Sequence, residues 1–308
     1  MTIRHTTLRQ LAVFEAAARN LSFTRAAGEL HLTQPAVSMQ IKELEGSAGL
    51  PLFERVGRKL FLTHAGSELL THARDILRAL GDAEVTLDAL KGLRSGRVGI
   101  AVTSTAKYFA PQLLAQFRKV QSEVELRLAV NNRDAVIEQL AGNEVDVAIM
   151  GRPPQAPDTV GEVFAPHPFV IVASPDHPLA RRRRILLAAL ANETFLVREP
   201  GSGTRSAMQE FFADHAFSVK VGMEIASNET IKQAVMAGIG ISFISRHTVG
   251  FELQSRRLAT VDVLGLPVLR HWYVVNLVAK RLSPSAAAFK EFVLNQGRAI
   301  LKAHVGGD

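Results

Sequence analysis

The chain has 308 residues, 47% of them apolar, with 36 Lys and Arg against 29 Asp and Glu and a formal charge of +7. That length predicts two or three domains with sizeable cores, and the basic balance fits a polyanionic partner. The absence of cysteine excludes disulfides, cysteine zinc sites and thiol redox chemistry, and the absence of a long apolar run predicts no membrane span.

Residues 2–19 read as an amphipathic helix rather than a signal peptide, so a cytoplasmic location is expected. Two short helical patterns follow. The first covers 23–30, with Ser22 as N-cap and Ala26, Ala27 and Leu30 on one face. His31, Leu32 and Thr33 break it. Thr33 caps a second helix whose first turn holds Pro35, where a missing N–H costs nothing. Val37, Ile41 and Leu44 recur along it at helical spacing. Two short helices across a tight turn, the second polar along its outer side, describe a helix-turn-helix. In that motif the second helix enters the DNA major groove N-terminus first.

The groove-facing residues follow from that geometry. They are Thr33, Gln34, Ser38 and Lys42. Gln34 can make a bidentate contact to adenine, and Pro35 and Ala36 offer apolar contact to a thymine methyl. Thr24 and Arg25 suit phosphate contacts that fix register. Residues 53–61 then form two strand-like runs about Gly57. This predicts a winged hairpin that carries Arg55, Arg58 and Lys59 to phosphates or the minor groove. Residues 1–62 hold eight Lys and Arg against five Asp and Glu, so the case for double-stranded DNA rests on placement more than on excess charge. The competing description is a solvated helical hairpin with ordinary charges.

Thr63 can cap a long helix over 63–92. Leu69, Ala73, Ile76, Leu80, Ala83, Leu87 and Leu90 recur at alternating steps of four and three, an a/d seam over about three heptads. A dimer seam explains a helix of this length, since paired heads read two half-sites. The alternative is one amphipathic helix packed on its own domain. A breaker-containing hinge is expected at 93–96.

From 97 onwards, strands alternate with helices. Strand-like runs lie at 97–102, 125–130, 145–150, 169–173, 194–197, 239–244 and 273–279, and helical patterns at 111–120, 133–142, 205–214, 229–237 and 284–303. This alternation predicts mainly parallel α/β layers. The segment 97–308 suits two lobes, 97–168 with 272–308 and 169–271, so the chain crosses between them twice. Such paired lobes resemble periplasmic binding proteins, with a small ligand in the cleft. Arg181, Arg182, Arg183 and Arg184 read as a solvated loop, with a second DNA contact as the other reading.

Ligands in open α/β lobes bind beyond strand C-termini, near helix N-termini. Four loops meet that condition: Thr103, Ser104 and Thr105; Asn131, Asn132 and Arg133; Pro200, Gly201, Ser202, Gly203, Thr204 and Arg205; and Ser227, Asn228, Glu229 and Thr230. In the last three, the contacts themselves are expected from Asn131, Asn132, residues 202–205 and residues 228–230. The third is the most pointed. Its glycines let backbone N–H groups approach an anion, its hydroxyls add donors and Arg205 adds a fork-shaped cation. A carboxylate or phosphate is the natural guest. Arg152, after the strand ending at Met150, adds charge. Each of these loops can equally be an ordinary turn or helix cap.

The N-terminal residues carry a resemblance. Leu8-Arg9-Gln10-Leu11, Phe14, Ser22-Phe23-Thr24-Arg25-Ala26-Ala27, Thr33-Gln34-Pro35-Ala36-Val37-Ser38, Leu52-Phe53-Glu54-Arg55 and Leu62-Thr63-His64-Ala65-Gly66 resemble the LysR-type transcriptional regulators. The likeness continues more loosely to the C-terminus. It implies an α+β multidomain chain with a winged helix-turn-helix at 1–62, a linker and dimerisation helix at 63–92, and a two-lobed, periplasmic-binding-protein-like effector domain at 97–308. It also implies a homodimer or homotetramer on promoter DNA, with RNA polymerase as a further partner. The missing cysteines set the chain apart from the peroxide-sensing branch of that family.

Within the family, Asn131-Asn132-Arg133, Gly151-Arg152-Pro153-Pro154, the segment from Val197 to Arg205 and that from Ser227 to Val235 look most like activators of RuBisCO (Calvin-cycle) operons. This implies an anionic effector such as NADPH, ribulose bisphosphate or phosphoenolpyruvate, and no bound cofactor. A regulator of another metabolic operon with a carboxylate effector is the alternative. The sequence has neither a Walker motif nor a clear GxGxxG unit. An α/β enzyme finds no support, since the ten histidines are scattered and HExxH and GxSxG are absent. A transport binding protein would not carry the DNA-reading head.

Overall fold

The computed structural model describes residues 6–57, 59–90 and 96–305. The chain divides into two compact units, Met1–Lys91 and Gly92–Asp308.

The first unit contains α1 (Leu8–Asn20), α2 (Phe23–Glu29), α3 (Gln34–Ala48), β1 (Phe53–Val56), β2 (Lys59–Leu62) and α4 (His64–Leu90). Short polar side chains start each helix by taking up orphan N–H groups. Thr7 and Gln10 form a reciprocal capping box on α1. Ser22 accepts from the Arg25 N–H, Thr33 from that of Ala36 and Thr63 from that of Gly66. Gly49 ends α3 in the left-handed region at φ 72°.

Leu11, Phe14, Val37, Ile41, Leu44, Leu52 and Phe53 make the core of this unit. Full burial of each large apolar side chain contributes roughly 1.5–3 kcal/mol. The Glu45 carboxylate accepts from the backbone N–H groups of Leu52 and Phe53 at 2.8 and 3.2 Å, which ties α3 to the start of β1.

Helix α4 changes its role along its length. Leu69, Leu70, Ala73 and Leu77 pack on the unit's own core, and Ala73 is fully buried. Farther on, Ile76, Leu80 and Leu87 are 46%, 41% and 55% exposed, and Ala83 is exposed as well. The seam expected from Leu69 is therefore corrected: Leu69 and Ala73 serve the core, and the free apolar stripe starts at Ile76. The Leu90 side chain and residues 93–95 of the expected hinge lie outside the described residues.

The second unit contains β3 (Arg97–Thr103), α5 (Ala110–Val120), β4 (Glu125–Asn131), α6 (Arg133–Ala141), β5 (Val147–Met150), β6 (Thr159–Ala173), β7 (Thr194–Val197), α7 (Gly203–Asp214), β8 (Lys220–Glu224), α8 (Asn228–Met236), β9 (Ser242–Ser245), α9 (Gly250–Gln254), β10 (Ala259–Val261), β11 (Val268–Leu277) and α10 (Pro284–Val305). The main sheet has the order β10-β6-β11-β5-β3-β4, with β9 also on β6. Strands β7 and β8 form a separate parallel pair. The expectation of mainly parallel layers is corrected. β3 pairs in parallel with β4 and β5, but β6 and β11 run antiparallel to each other and to their other neighbours.

Two cores flank this long antiparallel pair. Phe109, Phe117, Trp272 and Phe289 centre the first, and Phe195, Phe211, Phe212 and Phe243 the second. β6 gives Phe164 and Ala165 to the first core and Phe169 and Ile171 to the second. β11 gives Trp272 and Val274 to the first, and Val268 packs against the second. Its register shifts between Trp272 and Tyr273. A cleft forms where the two halves meet, beyond the C-terminal ends of β3 and β5 and beside the start of α7.

Candidate functional site

The DNA-reading head is built by local caps. Thr33 fixes the start of α3, and its exposed N-terminal face carries Thr33, Gln34, Pro35 and Lys42. Ala36 and Ser38 are half-buried beside them. Burial of Val37, Ile41 and Leu44 on the opposite face sets that orientation. Thr24 and Arg25 are exposed in the first turn of α2. Arg55 and Lys59 are exposed on the β1–β2 hairpin, and the Arg55 guanidinium lies 6.0 Å from the Phe23 ring centroid. Arg58 lies outside the described residues. Gly57 turns the hairpin at φ 63°.

The cavity of the second unit has a volume of about 1120 Å³. Thr103, Ser104, Thr105, Arg152, Ser202, Gly203 and Thr204 line it, as do Arg133, His167, Glu210 and Arg270. Two helix N-termini converge on it. Asn132 caps α6, and the Asp134 N–H donates to the Gly201 carbonyl at 3.3 Å. Gly201 sits at φ 80°, and a side chain there would strike the Asp134 carboxylate. Ser202 occupies the N-cap of α7 without a side-chain cap bond. The Arg133 stem runs beside Gly203, within 3.5 Å of where a Cβ on that residue would stand.

Arg133 is the most informative charge in the cavity. Its side chain is 24% exposed. Its Nη2 reaches the Pro153 carbonyl only at 3.5 Å, and its carboxylate contact is Asp134 at 3.8 Å. Burial pulls the guanidinium below its ordinary pKa, Asp134 opposes that pull and Arg152 adds repulsion. An arginine stays charged here, so it is a partly desolvated cation that Asp134 at 3.8 Å and the Glu210 charge balance only loosely. Arg152 and Arg270 differ, because both bond Glu210, at 2.8 and 2.9 Å. Thr204 Oγ1 and His167 Nδ1 are buried with no hydrogen-bond partner among the described residues. Thr103 and Thr105 share a hydrogen bond of 3.3 Å.

Other expected contacts are corrected. Asn131 bonds Gln139, and Asn132 accepts from the Ala135 N–H; neither is at the cavity wall. Arg205 turns away, donating to the Arg198 carbonyl at 2.8 Å and to Glu224 at 2.5 Å. Asn228, Glu229 and Thr230 also lie off the wall. Asn228 accepts from buried Arg198 at 2.7 Å, and Arg198 also reaches Glu199 and Ser104. Glu229 accepts from the Tyr108 hydroxyl at 2.5 Å and pairs with Lys232 at 3.0 Å. Burial opposes ionisation of Glu229, but the Tyr108 and Lys232 hydrogen bonds together with the Lys232 and Lys107 charges outweigh it and hold the carboxyl below its ordinary pKa. Burial, then Glu229, pushes the Tyr108 phenol upward. This network braces the two halves beside the cavity rather than lining it.

The sequence places Arg133 in a candidate loop without assigning it a contact and names Arg198 only within a resemblance, and it does not point to His167, Glu210 or Arg270. Arg133 had a usable signal, since it opens a helix directly after a capping Asn. The others are assembled by long-range packing.

A helix-turn-helix joined in one chain to a ligand cavity defines a ligand-responsive DNA-binding regulator. Comparison with known proteins gives its family. Residues 8–67 match the bacterial regulatory helix-turn-helix protein, lysR family, and 91–298 match the LysR substrate binding domain. The chain belongs to the LysR family of bacterial transcriptional regulators. It is 51% identical over 292 residues to the RuBisCO operon transcriptional regulator of Allochromatium vinosum, covering 95% of this chain and 97% of that one. The regulatory domain of CcmR from Synechocystis PCC6803, solved in complex with 2-PG (2-phosphoglycolate), is 40% identical with a TM-score of 0.63, covering 65% of this chain and 96% of that one. Full-length CbnR complexed with its target DNA shares the fold at 22% identity and a TM-score of 0.69, covering 94% of this chain and 99% of that one. Among the described residues, no helix is long and apolar enough to cross a membrane.

Proposed function

We propose that this regulator controls carbon-fixation genes by binding a small anionic metabolite in the cavity. The carrying observation is Arg133, a half-buried cation beside the N-terminus of α7 whose carboxylate contact, Asp134 at 3.8 Å, is long for a hydrogen bond. An anion there would gain a charge-assisted hydrogen bond and the N–H groups at the start of α7. Ser202, Gly203, Thr204 and the 103–105 loop would complete its shell. The names of the relatives support the operon class, and the ligand of the CcmR domain supports the effector chemistry. Candidates are 2-phosphoglycolate, ribulose bisphosphate, phosphoenolpyruvate and NADPH.

The head would read an operator half-site through α3, with Gln34 on a base edge and Arg55 and Lys59 on phosphates. The exposed stripe of Ile76, Leu80, Ala83 and Leu87 would join two copies, giving two heads for two half-sites. Effector binding shifts the regulator between states only through its differential affinity for them. The protein would act in the cytoplasm, where RNA polymerase is a further partner. Calorimetry of the full-length protein with each candidate tests the cavity. Saturable binding of at least one, weakened roughly 10- to 100-fold by Arg133→Gln, is expected. Binding of none of them contradicts the proposal.

A further inference from the structure

His167 sits on β6, opposite Arg270 on β11. Its ring is 3% exposed and stacks on Trp272 with centroids 3.8 Å apart and planes 13° from parallel. Its Nε2 shares a 3.0 Å hydrogen bond with the buried Ser245 hydroxyl. Its Nδ1 has no partner among the described residues. Leaving a buried ring nitrogen unpaired is costly, and such an atom calls for an explanation. The surroundings supply one. His167 lines the cavity, and so does Gly151, where a Cβ would come within 2.9 Å of Nδ1. The glycine leaves only backbone hydrogen beside that edge of the imidazole, while Nδ1 itself is shielded from solvent. Thr204, at the start of α7, presents a second unpaired buried atom to the same cavity.

Resting on the anion-binding reading above, we propose that His167 Nδ1 is a specificity contact for the effector. The effector then carries two polar groups: an anion taken by Arg133 and the start of α7, and an oxygen-bearing group that shares a hydrogen bond with the imidazole. Ser245 makes either polarity available. If its hydroxyl donates to Nε2, Nδ1–H is a donor towards a carboxylate or phosphoryl oxygen. If it accepts from Nε2–H, Nδ1 accepts from a ligand hydroxyl. Simple one-group anions satisfy only the charged end. The site thus selects two-headed metabolites, such as a phosphorylated hydroxy acid, over inorganic phosphate.

The test uses full-length protein, with 2-phosphoglycolate as the two-headed probe and inorganic phosphate as the anion alone. His167→Gln keeps a polar atom near Nε2 for Ser245 but removes the one at the Nδ1 edge. Gly151→Ala keeps the imidazole but sets a methyl 2.9 Å from Nδ1, so that edge is blocked and the ring or strand must shift slightly to admit it. Both variants are expected to weaken 2-phosphoglycolate binding about 3- to 10-fold, the range for one hydrogen bond, with phosphate affinity unchanged. Equal affinity of parent and both variants for 2-phosphoglycolate overturns the proposal. Equal loss for both probes also overturns it, because His167 then acts on the whole cavity. If the parent binds neither probe, the anion-binding reading itself fails and this proposal falls with it.

Discussion

Replacing Arg133 with Gln separates binding from stability. In the free protein the guanidinium is half-buried, and its carboxylate contact is Asp134 at 3.8 Å. The substitution therefore removes a partly desolvated charge, its loose pairing with Asp134 and one weak bond to the Pro153 carbonyl. The thermal midpoint should stay within a few degrees of the parent or rise, given that 1 kcal/mol moves a unit of this size by about 2–4 °C. Effector binding should behave differently. A hydrogen bond to a charged group contributes about 1.5–3 kcal/mol, and each 1.4 kcal/mol is tenfold in affinity. Calorimetry should show 2-phosphoglycolate binding weakened roughly 10- to 100-fold. The N–H groups at the start of α7 remain, so binding should not vanish. A variant that unfolds many degrees earlier while binding the ligand normally would refute this reasoning and make Arg133 a structural residue.

Further expectations concern the head, the seam and pH. Gln34→Ala should relax sequence preference by about 1–3 kcal/mol at one base pair in a competition binding assay, whereas Lys59→Ala should weaken all sequences alike and lower the salt slope by about one. Leu80→Asp places a charge in the exposed stripe of α4 and should give monomers in sedimentation, with operator binding lost at working concentrations. Burial, and secondarily His247, holds His167 well below its ordinary value near 6.5. The unfolded chain then binds a proton that the native state refuses, so this contribution to stability is intact above about pH 6.5 and declines as pH falls below it. Thermal midpoints at pH 5.0 and 7.5 should show that decline in the parent and a smaller one in His167→Gln.

The head was legible because its determinants are local. Ser22, Thr33 and Thr63 each cap the helix that follows, and the apolar spacing of Val37, Ile41 and Leu44 identifies the buried face of α3. The cavity was legible only in part. A Ser, Thr or Asn before a helix looks alike whether it caps the helix or meets a ligand. Asn132 caps, whereas Ser202 and Thr204 face the cavity. Arg205 looked like the anion-binding arginine by sequence proximity, yet Glu224 and the Arg198 carbonyl draw it away, and Arg133 arrives from another helix.

The N-terminal part of β6, 159–168, lies outside the strand expected at 169–173, and it contains Pro166 and Pro168, residues that cannot donate to a ladder. They are tolerated because β9 joins β6 only from Phe169, leaving one side of the strand unpaired before it. Strand β8 is exposed at every position, so no alternation marks it. The heptad seam failed at Leu69 and Ala73 for a related reason. A repeat gives the face of a helix but not which neighbour covers it.

The most direct test of the account is footprinting of the purified full-length protein on DNA upstream of a carbon-fixation operon, at fixed moderate salt. It would be run with and without 2-phosphoglycolate, ribulose bisphosphate, phosphoenolpyruvate and NADPH. The account predicts a protected site spanning two half-sites whose length or position changes with at least one of these compounds. A footprint that none of them alters, or no protection at all, would contradict it.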